Sequence, residues 1–492
     1  MAVFRYKYER FIPPQNSTGF ADKREFVDML FPLRDNGKQV KKAGIPLVRG
    51  EKMTYTDSGE DHYIILGNTS SKKSRNVGMP TIEFLAEAGE SMIIADPKGE
   101  YTRRHRAGLE KKGYKTAVLD FKNMLSDSWN PLAYIYELHK LGQEDKALTY
   151  IADLVETLSA PSKEKSKDVF WNLMAESLLQ GYLDLMLNIC KKEEYNISTL
   201  MDFISEKNSI YVDKILECVP TYASAYYNIK NVKLAPEKTY ACIINTLHGI
   251  LKMFILNKSL CSMLKCNSFN ISEIDSVPTA VFLVIPDNKD TMNGLVSLFV
   301  SQLSNILIDK ADINVTGRLK RRVNWIIDEF GNITEIPGLA NMITAARSRN
   351  MRYFLFVQSL DQIKNKYNAY QTIAANCSKV FLHSNELETL EYISELCGNK
   401  IIAGCEYPLI SPAELQQLSK EKGEALVLKN RCKPYLTMLT DIDDYPQFKF
   451  DFADIPIKDR MKFKISDIVE ILEEILIGQR ECYDYRINDI KI

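Results

Sequence analysis

The chain has 492 residues, too many for one simple core, so two or three domains are expected. Apolar residues make up 45% and charged residues 26%, values ordinary for a soluble globular protein. The net charge of -1 excludes a globally basic character, so any contact with nucleic acid must come from a local patch or from an assembled ring.

Met1 to Pro13 is charged and aromatic with no apolar core segment, which is not a signal peptide. No run of about 18 apolar residues occurs, so no transmembrane helix is expected. The ten cysteines include no C-x-x-C pair, the closest being Cys261 and Cys266. Neither a zinc pattern nor a disulfide framework is present, and a reducing cytoplasm is the default. The five histidines, His62, His105, His139, His248 and His383, are widely separated and read as structural or surface residues.

Residues 1–60 read as a leader, with turn signals at Pro13-Pro14, Asn16-Ser17 and Asp35-Asn36-Gly37. Ile45–Val48 and Met53–Tyr55 suit short strands of a hairpin. The informative stretch is Asp61 to Asn76. A β-prone run, His62 to Leu66, meets Gly67 and a polar loop ending in Lys72-Lys73-Ser74, and a helical pattern follows through Ile82, Phe84 and Leu85. Strand, loop and helix form the setting of a phosphate-binding loop, G-x-x-x-x-G-K-[ST]. Gly67, Lys73 and Ser74 match its spacing, and Lys72 stands where the second glycine belongs. Lys73 can reach the β- and γ-phosphates, Ser74 can ligate Mg²⁺, and the helix N-terminus adds amide donors. The candidate cofactor-binding residues are Gly67, Asn68, Thr69, Ser70, Ser71, Lys72, Lys73 and Ser74. A Ser/Lys-rich surface loop is the alternative reading.

Ser91–Ala95 is a buried-type strand running into Asp96-Pro97-Lys98-Gly99-Glu100. Open α/β sheets place ligand sites at such strand ends, although Pro and Gly also supply an ordinary turn there. Lys115–Asp120 is the next strand, and the spacing argues a parallel sheet. From Leu132 to Lys265 helical periodicity takes over, as in Ala147–Leu158, Phe170–Met186, Asn196–Ile204 and a long helix over Tyr240–Leu256, with a polar break at Ser162–Lys167. This block reads as an all-α domain inserted into an α/β domain, with Phe170, Trp171, Tyr182, Tyr226 and Tyr227 in its core; stacking on nucleic acid is the alternative reading for them.

The α/β signal returns at Thr279–Pro286, followed by a helix over Met292–Asp309. Val323–Ile327 is an apolar strand closed by Asp328-Glu329. That pattern suits the metal-holding Asp and water-polarising Glu of a P-loop NTPase. Arg347 and Arg349 follow on a helix end. They suit either an arginine finger donated to a neighbouring subunit or a solvated basic turn. Tyr353–Gln358 is a strand whose terminal Gln358 can sense a γ-phosphate, and Lys379–His383 is another. Glu424–Leu439 reads as a hairpin, and an amphipathic helix over Ile465–Ile477 precedes a polar end.

In order, G-N-T-S-S-K-K-S-R-N with M-P-T at 79–81, D-P-K-G-E at 96–100, S-W-N-P-L at 128–132, V-F-W at 169–171 and F-L-V-I-P-D at 282–287 resemble the type IV secretion coupling proteins, the TraG/TraD-like conjugative DNA-transfer ATPases. So do I-I-D-E-F-G-N-I at 326–333, I-P-G-L at 336–339, A-R-S-R at 346–349, F-V-Q-S-L-D-Q at 356–362 and N-C-S-K-V-F-L at 376–382. The resemblance covers roughly residues 45–440. It implies a RecA-like P-loop NTPase domain with a mainly parallel sheet, interrupted by the all-α domain and assembled as a homo-hexamer around a DNA channel. It implies ATP and Mg²⁺ as cofactors, and single-stranded DNA, often relaxase-bound, as cargo moved toward a secretion channel. By motif position, Ser74 and Asp328 would serve the metal, and Glu329, Arg347, Arg349 and Gln358 would be the catalytic set. The domains expected are 1–60, 61–131, 132–270, 271–445 and 446–492. Two departures stand out. The family's loop carries glycines where this chain has Ser70 and Lys72, and its members carry N-terminal transmembrane helices. A bacterial cytoplasmic protein held at the inner face of the membrane by an anchored partner is therefore expected. An active coupling ATPase is the first reading, a catalytically impaired adaptor subunit is the second, and a DNA pump of a related RecA-like class, not linked to secretion, is the third.

Overall fold

Apolar runs of five to seven residues, each ending in a polar turn, form the middle of one large sheet. The computed structural model describes residues 18–163, 169–217, 223–286, 292–459 and 468–477. The turn signals at Pro13-Pro14 and Asn16-Ser17, the polar break from 164 to 167, Asp287, the first residues of the expected C-terminal helix (465–467) and the polar end lie outside the described residues.

In chain order the strands are β1 (Phe31–Arg34), β2 (Ile45–Arg49), β3 (Met53–Asp57), β4 (His62–Gly67), β5 (Ser91–Asp96), β6 (Lys115–Asp120) and β7 (Thr279–Val284). They continue with β8 (Val323–Ile327), β9 (Met351–Val357), β10 (Cys377–His383), β11 (Asn399–Ile402), β12 (Cys405–Pro408), β13 (Glu424–Leu428) and β14 (Tyr435–Met438). The main sheet has nine strands in the order β14-β13-β10-β4-β9-β8-β5-β7-β6. The strands from β10 to β6 are parallel, and β13 and β14 close one edge as an antiparallel hairpin. Strands β4, β5, β7, β8 and β9 are buried along their whole length, as a parallel sheet covered on both faces requires. β9 and β8 insert between β4 and β5, although more than two hundred residues separate them in the chain.

One face of the sheet is covered by the helices Met79–Glu87 and Glu100–Lys111 and by the small antiparallel sheet β1-β3-β2. The other face packs on the helix Asn293–Ile313 and, through one continuous core, on a block of helices between Ala133 and Met263. The axis of that block is Val169–Ile189, buried on nearly every side from Leu178 onward. It meets the helix Ser224–Lys233 at Gly181, where a Cβ would stand 2.8 Å from the Ile229 side chain. Glycine there permits the close approach of the two helices.

Two expectations need correction. The long helix over Tyr240–Leu256 is two helices, Glu237–Ile250 and Lys252–Leu256. Gly249 weakens the last turn of the first, and the chain bends at the fully buried Leu251. Of the five aromatics assigned to the helical core, Tyr182 is buried, but Phe170 and Tyr227 are 48% and 65% exposed. Each falls on the outer face of its helix, where periodicity outranks residue type.

The C-terminal segment crosses the helices behind the loop that follows β4. Asp441 takes two hydrogen bonds from Arg75 (2.8 and 2.5 Å), Phe448 packs edge-on against Phe84, and Lys458 pairs with Asp127 at 2.8 Å. The helix Ile468–Leu476 buries Ile468, Ile471, Leu472 and Ile475 and packs on the helix Ser209–Glu217. Among the described residues, no helix is long and apolar enough to cross a membrane.

Candidate functional site

The loop after β4 turns back tightly on itself. A Cβ on Gly67 would stand 2.4 Å from the Ser71 hydroxyl and 3.0 Å from Lys73 Cγ, so a larger residue would push both side chains from their places. Ser70 (φ 68°) and Lys72 (φ 63°) both take the left-handed conformation. They hold the backbone that glycine would adopt freely, at a cost of about 1–2 kcal/mol each. The Lys72 ammonium points away from the loop, 3.8 Å from Glu421. Lys73 is buried, and its ammonium donates to the carbonyls of Gly67 and Asn68. Burial lowers its pKa, Lys98 lowers it further, and Glu329 and Asp328 oppose the shift. Ser74 opens a π-helical turn, Ser74–Gly78, that leads into the helix Met79–Glu87. Such turns mark functional positions in many helices.

The acidic pair arrives from β8. The Ser74 hydroxyl donates to the Asp328 carboxylate at 2.9 Å. Asp328 is buried, and desolvation pushes its pKa up, with Glu329 adding to the shift and Ser74 opposing it. Glu329 lies in the left-handed region (φ 48°), and the Gln358 amide donates to its carboxylate at 3.0 Å. β9 lies between β4 and β8 in the sheet, so Gln358 emerges between the phosphate loop and the acids. Lys73, Ser74, Asp328, Glu329 and Gln358 therefore share the C-terminal edge of the parallel strands, where open α/β sheets bind ligands.

Three residues belong here that sequence reasoning did not assign. Asp96 ends β5, beside β8, and accepts from the Thr102 amide and hydroxyl at 2.8 and 2.7 Å. Burial pushes its carboxyl up to about 6, and Asp328 adds to the shift. The buried Tyr101 hydroxyl lies beside Ser74 and Asp328, against Gly78, where a Cβ would stand 2.3 Å away. Lys98 is exposed and close enough to act on Lys73. The D-P-K-G-E segment was the available signal, and its strand-end position was visible in the sequence. Its neighbours across the sheet were not.

Arg347 and Arg349 are not brought to this edge. They precede β9, whose seven residues span about 20 Å, and Gln358 follows it. Arg349 makes a two-pronged pair with Asp312 at 2.9 and 3.2 Å, and Arg347 donates to the Asn376 carbonyl at 3.0 Å. Within one chain they lie at the opposite end of the sheet from the loop.

The donor set fits a magnesium ion that keeps waters and phosphate oxygens among its ligands. Ser74 and Asp328 offer hard oxygens, and the described residues contain no group of three or more His, Cys, Asp or Glu side chains that would cage an ion alone.

A phosphate loop joined through Ser74 to a strand-end Asp-Glu pair, on a parallel sheet with a helical insertion, defines a P-loop NTPase-type architecture. Residues 16–404 match the model of the family described as type IV secretory system conjugative DNA transfer, and the chain belongs to that family. It is 22% identical over 386 residues to the type IV secretion system-coupling protein VirD4 of Bartonella quintana, covering 73% of this chain and 58% of the relative. It is 22% identical over 365 residues to protein VirD4 of Rhizobium radiobacter, covering 70% and 49%. The chain thus spans about half the length of these relatives. Among solved structures, the unbound bacterial conjugative coupling protein TrwBdeltaN70 superposes with a TM-score of 0.63 at 17% identity, over 89% of this chain and 94% of that one. Plasmid coupling protein TrwB in complex with ADP and Mg²⁺ superposes with a TM-score of 0.64 at 15% identity, over 89% and 95%. The fold is therefore that of a RecA-like α/β P-loop NTPase with an inserted helical domain.

Proposed function

We propose that this chain is the coupling ATPase of a conjugative, type IV secretion system, using ATP hydrolysis to drive single-stranded DNA with its bound relaxase, or a protein substrate, toward the secretion channel. The observation that carries the reading is the Ser74–Asp328 contact of 2.9 Å, with Glu329 and Gln358 joined beside it. Lys73 and the loop amides would hold the β- and γ-phosphates, and Glu329 would take the proton of an attacking water that Gln358 helps to position. Bound Mg²⁺, held by Ser74 and Asp328, would neutralise charge on the phosphates. TrwB has been captured with ADPNP and with ADP and Mg²⁺, which supports ATP and Mg²⁺ as the ligands here.

The assembly proposed is a homo-hexamer, with Arg347 or Arg349 of one subunit reaching the site of the next. The position of both arginines away from their own chain's loop suits a residue that acts in trans. The protein would work in the bacterial cytoplasm, at the inner face of the membrane, beside membrane-anchored secretion proteins. The five units proposed from the sequence, 1–60, 61–131, 132–270, 271–445 and 446–492, remain the working domain division.

A second reading, a catalytically impaired adaptor that binds substrate without turnover, is favoured by two features of the loop. Ser70 and Lys72 replace glycines at left-handed positions, and Lys73 donates to the loop's own carbonyls. Steady-state ATP hydrolysis with and without single-stranded DNA, wild type beside Lys73→Ala, separates the two. DNA-stimulated turnover that Lys73→Ala abolishes supports the motor. Unchanged hydrolysis in the variant sinks the site assignment, and nucleotide binding by hexamers without turnover supports the adaptor. Arg347→Ala and Arg349→Ala should lower turnover only in the assembled protein, and full activity from a monomer rules out the finger.

A further inference from the structure

A groove of about 500 Å³ opens beside the phosphate loop. Arg75 and Met79, four residues apart just after Ser74, line one side, and Glu100, Arg103, Arg104 and the Phe452–Asp454 segment line the rest. In a phosphate loop the Lys and Ser take the β/γ end and the metal, while the backbone amides cradle the α- and β-phosphates. Whatever the α-phosphate carries therefore leaves past the residue after the Ser. That residue is Arg75, at the head of the groove.

Phe452 is 71% exposed, although its backbone is pinned. The Ala453 amide donates to the Arg103 carbonyl at 2.9 Å, and Arg106 donates to the Asp454 carbonyl at 3.1 Å. Its neighbours in the segment are covered: Phe448 packs on Phe84, and Phe450 packs on His105 with the Arg104 guanidinium 4.0 Å from its ring centre. The same guanidinium stands 5.4 Å from the Phe452 ring, most of which faces solvent. A flat ring on a fixed backbone, uncovered and lining a groove, is a stacking platform. The groove is not a second anion site, because Arg75 and Arg104 are already paired with Asp441 and Asp443 and Arg103 donates to the Lys98 carbonyl at 2.9 Å.

We infer that this groove is the nucleoside subsite, with the base stacked on Phe452 and the ribose hydroxyls donating to the Glu100 or Asp454 carboxylate. The inference rests on the nucleotide reading above and adds the residues that hold the nucleoside. Stacking uses the π-face that every base presents, so purine triphosphates should bind alike.

The test measures binding of ATP, GTP and inorganic triphosphate, each with Mg²⁺, to the full chain by calorimetry. Wild type is compared with Phe452→Ala and Phe452→Tyr. Phe452 contributes little to the core, so the variants should fold normally. Phe452→Ala should weaken ATP and GTP by about 5- to 150-fold and leave inorganic triphosphate unchanged, while Phe452→Tyr restores nucleotide binding. Unchanged ATP affinity in Phe452→Ala, equal weakening of all three ligands, or an effect on self-association alone overturns the subsite. Wild type that binds neither ATP nor triphosphate overturns the nucleotide reading, and the subsite with it.

Discussion

The two ends of the parallel sheet are built from the same kinds of residue and matched very differently. At the N-terminal end the charges are paired. Arg352, almost fully buried, donates to Glu90 at 2.5 Å, to Asn324 at 2.8 Å and to the carbonyls of Ala43, Asp57 and Gly59. Lys429 sits between Asp57 and Asp61, and Gly44 has no room for a Cβ, which would stand 1.7 Å from the Asp57 carbonyl. At the C-terminal end the matching is incomplete. Ser70, Lys72 and Glu329 hold left-handed backbones, the buried Ser71 hydroxyl has no hydrogen-bond partner among the described residues, and burial shifts Lys73 down and Asp328 up. Dense pairing of charges makes an end rigid. Incomplete pairing leaves charges that a phosphate and a cation can complete, which is why strain and perturbed groups collect at ligand sites.

The largest effect should come from breaking the matched end. Arg352→Ala takes from the buried Glu90 its nearest cation, leaving it Asn324 and the more distant Arg322, and takes from the Ala43 carbonyl its side-chain donor, which should cost about 3–5 kcal/mol, read by urea unfolding. Lys73→Ala removes a cation from a desolvated position and should leave stability within about 1 kcal/mol. Comparable losses in the two variants would remove the contrast between the ends.

Glu329→Gln tests the unmatched end. General-base catalysis contributes about 10²- to 10⁴-fold, so turnover should fall by that factor while nucleotide binding stays within a few-fold. Loss of binding together with turnover would contradict the water-polarising role, because Glu329 makes its side-chain hydrogen bond with Gln358 and acts on Lys73 of the loop only through its charge.

His62 links the matched end to pH. Its Nδ1 accepts from the Tyr353 amide at 3.1 Å, so Nε2 carries the proton and donates to the Ile343 carbonyl at 2.9 Å. Burial lowers its pKa to about 4 in the fold, against 6.5 unfolded. Between those values the unfolded chain binds the extra proton, so this stability is fully present above about pH 6.5 and is lost as pH falls toward 4. The change is on the order of 3 kcal/mol. His62→Gln should flatten the unfolding free energy over that window, and an unchanged slope would assign the pH dependence to other groups.

The contrast between the ends was only half legible in the sequence. The loop after His62–Leu66, the apolar strand before Asp328-Glu329 and Gln358 after Tyr353–Val357 could be read because strands and their polar exits are local patterns. The sequence also marked Ser70 and Lys72 as the departures from a glycine loop. It did not show that both retain the glycine-like conformation, because φ depends on what the surrounding loop demands. Nor did it place Asp96 and Tyr101 beside Asp328, since that contact depends on strand order, and β8 and β9 reach their places from far along the chain. Arg347 and Arg349 looked alike in A-R-S-R, yet Arg349 is held by Asp312 and Arg347 by a carbonyl of the Asn376 turn.

The smallest effect lies in the loop itself. Lys72→Gly removes a left-handed penalty of about 1–2 kcal/mol and returns about 0.4–1 kcal/mol through the freer unfolded chain. A net gain of about 0.5–1 kcal/mol is expected by urea unfolding. Because the Lys72 ammonium points toward Glu421 and away from the loop, nucleotide affinity should stay within about threefold of wild type, a difference under about 0.7 kcal/mol. A tenfold loss of affinity would show that the ammonium swings inward to hold phosphate, making the departure from glycine a functional gain. A stability gain at constant affinity would instead make Lys72 a residue the loop tolerates, its side chain directed outward and its backbone strained.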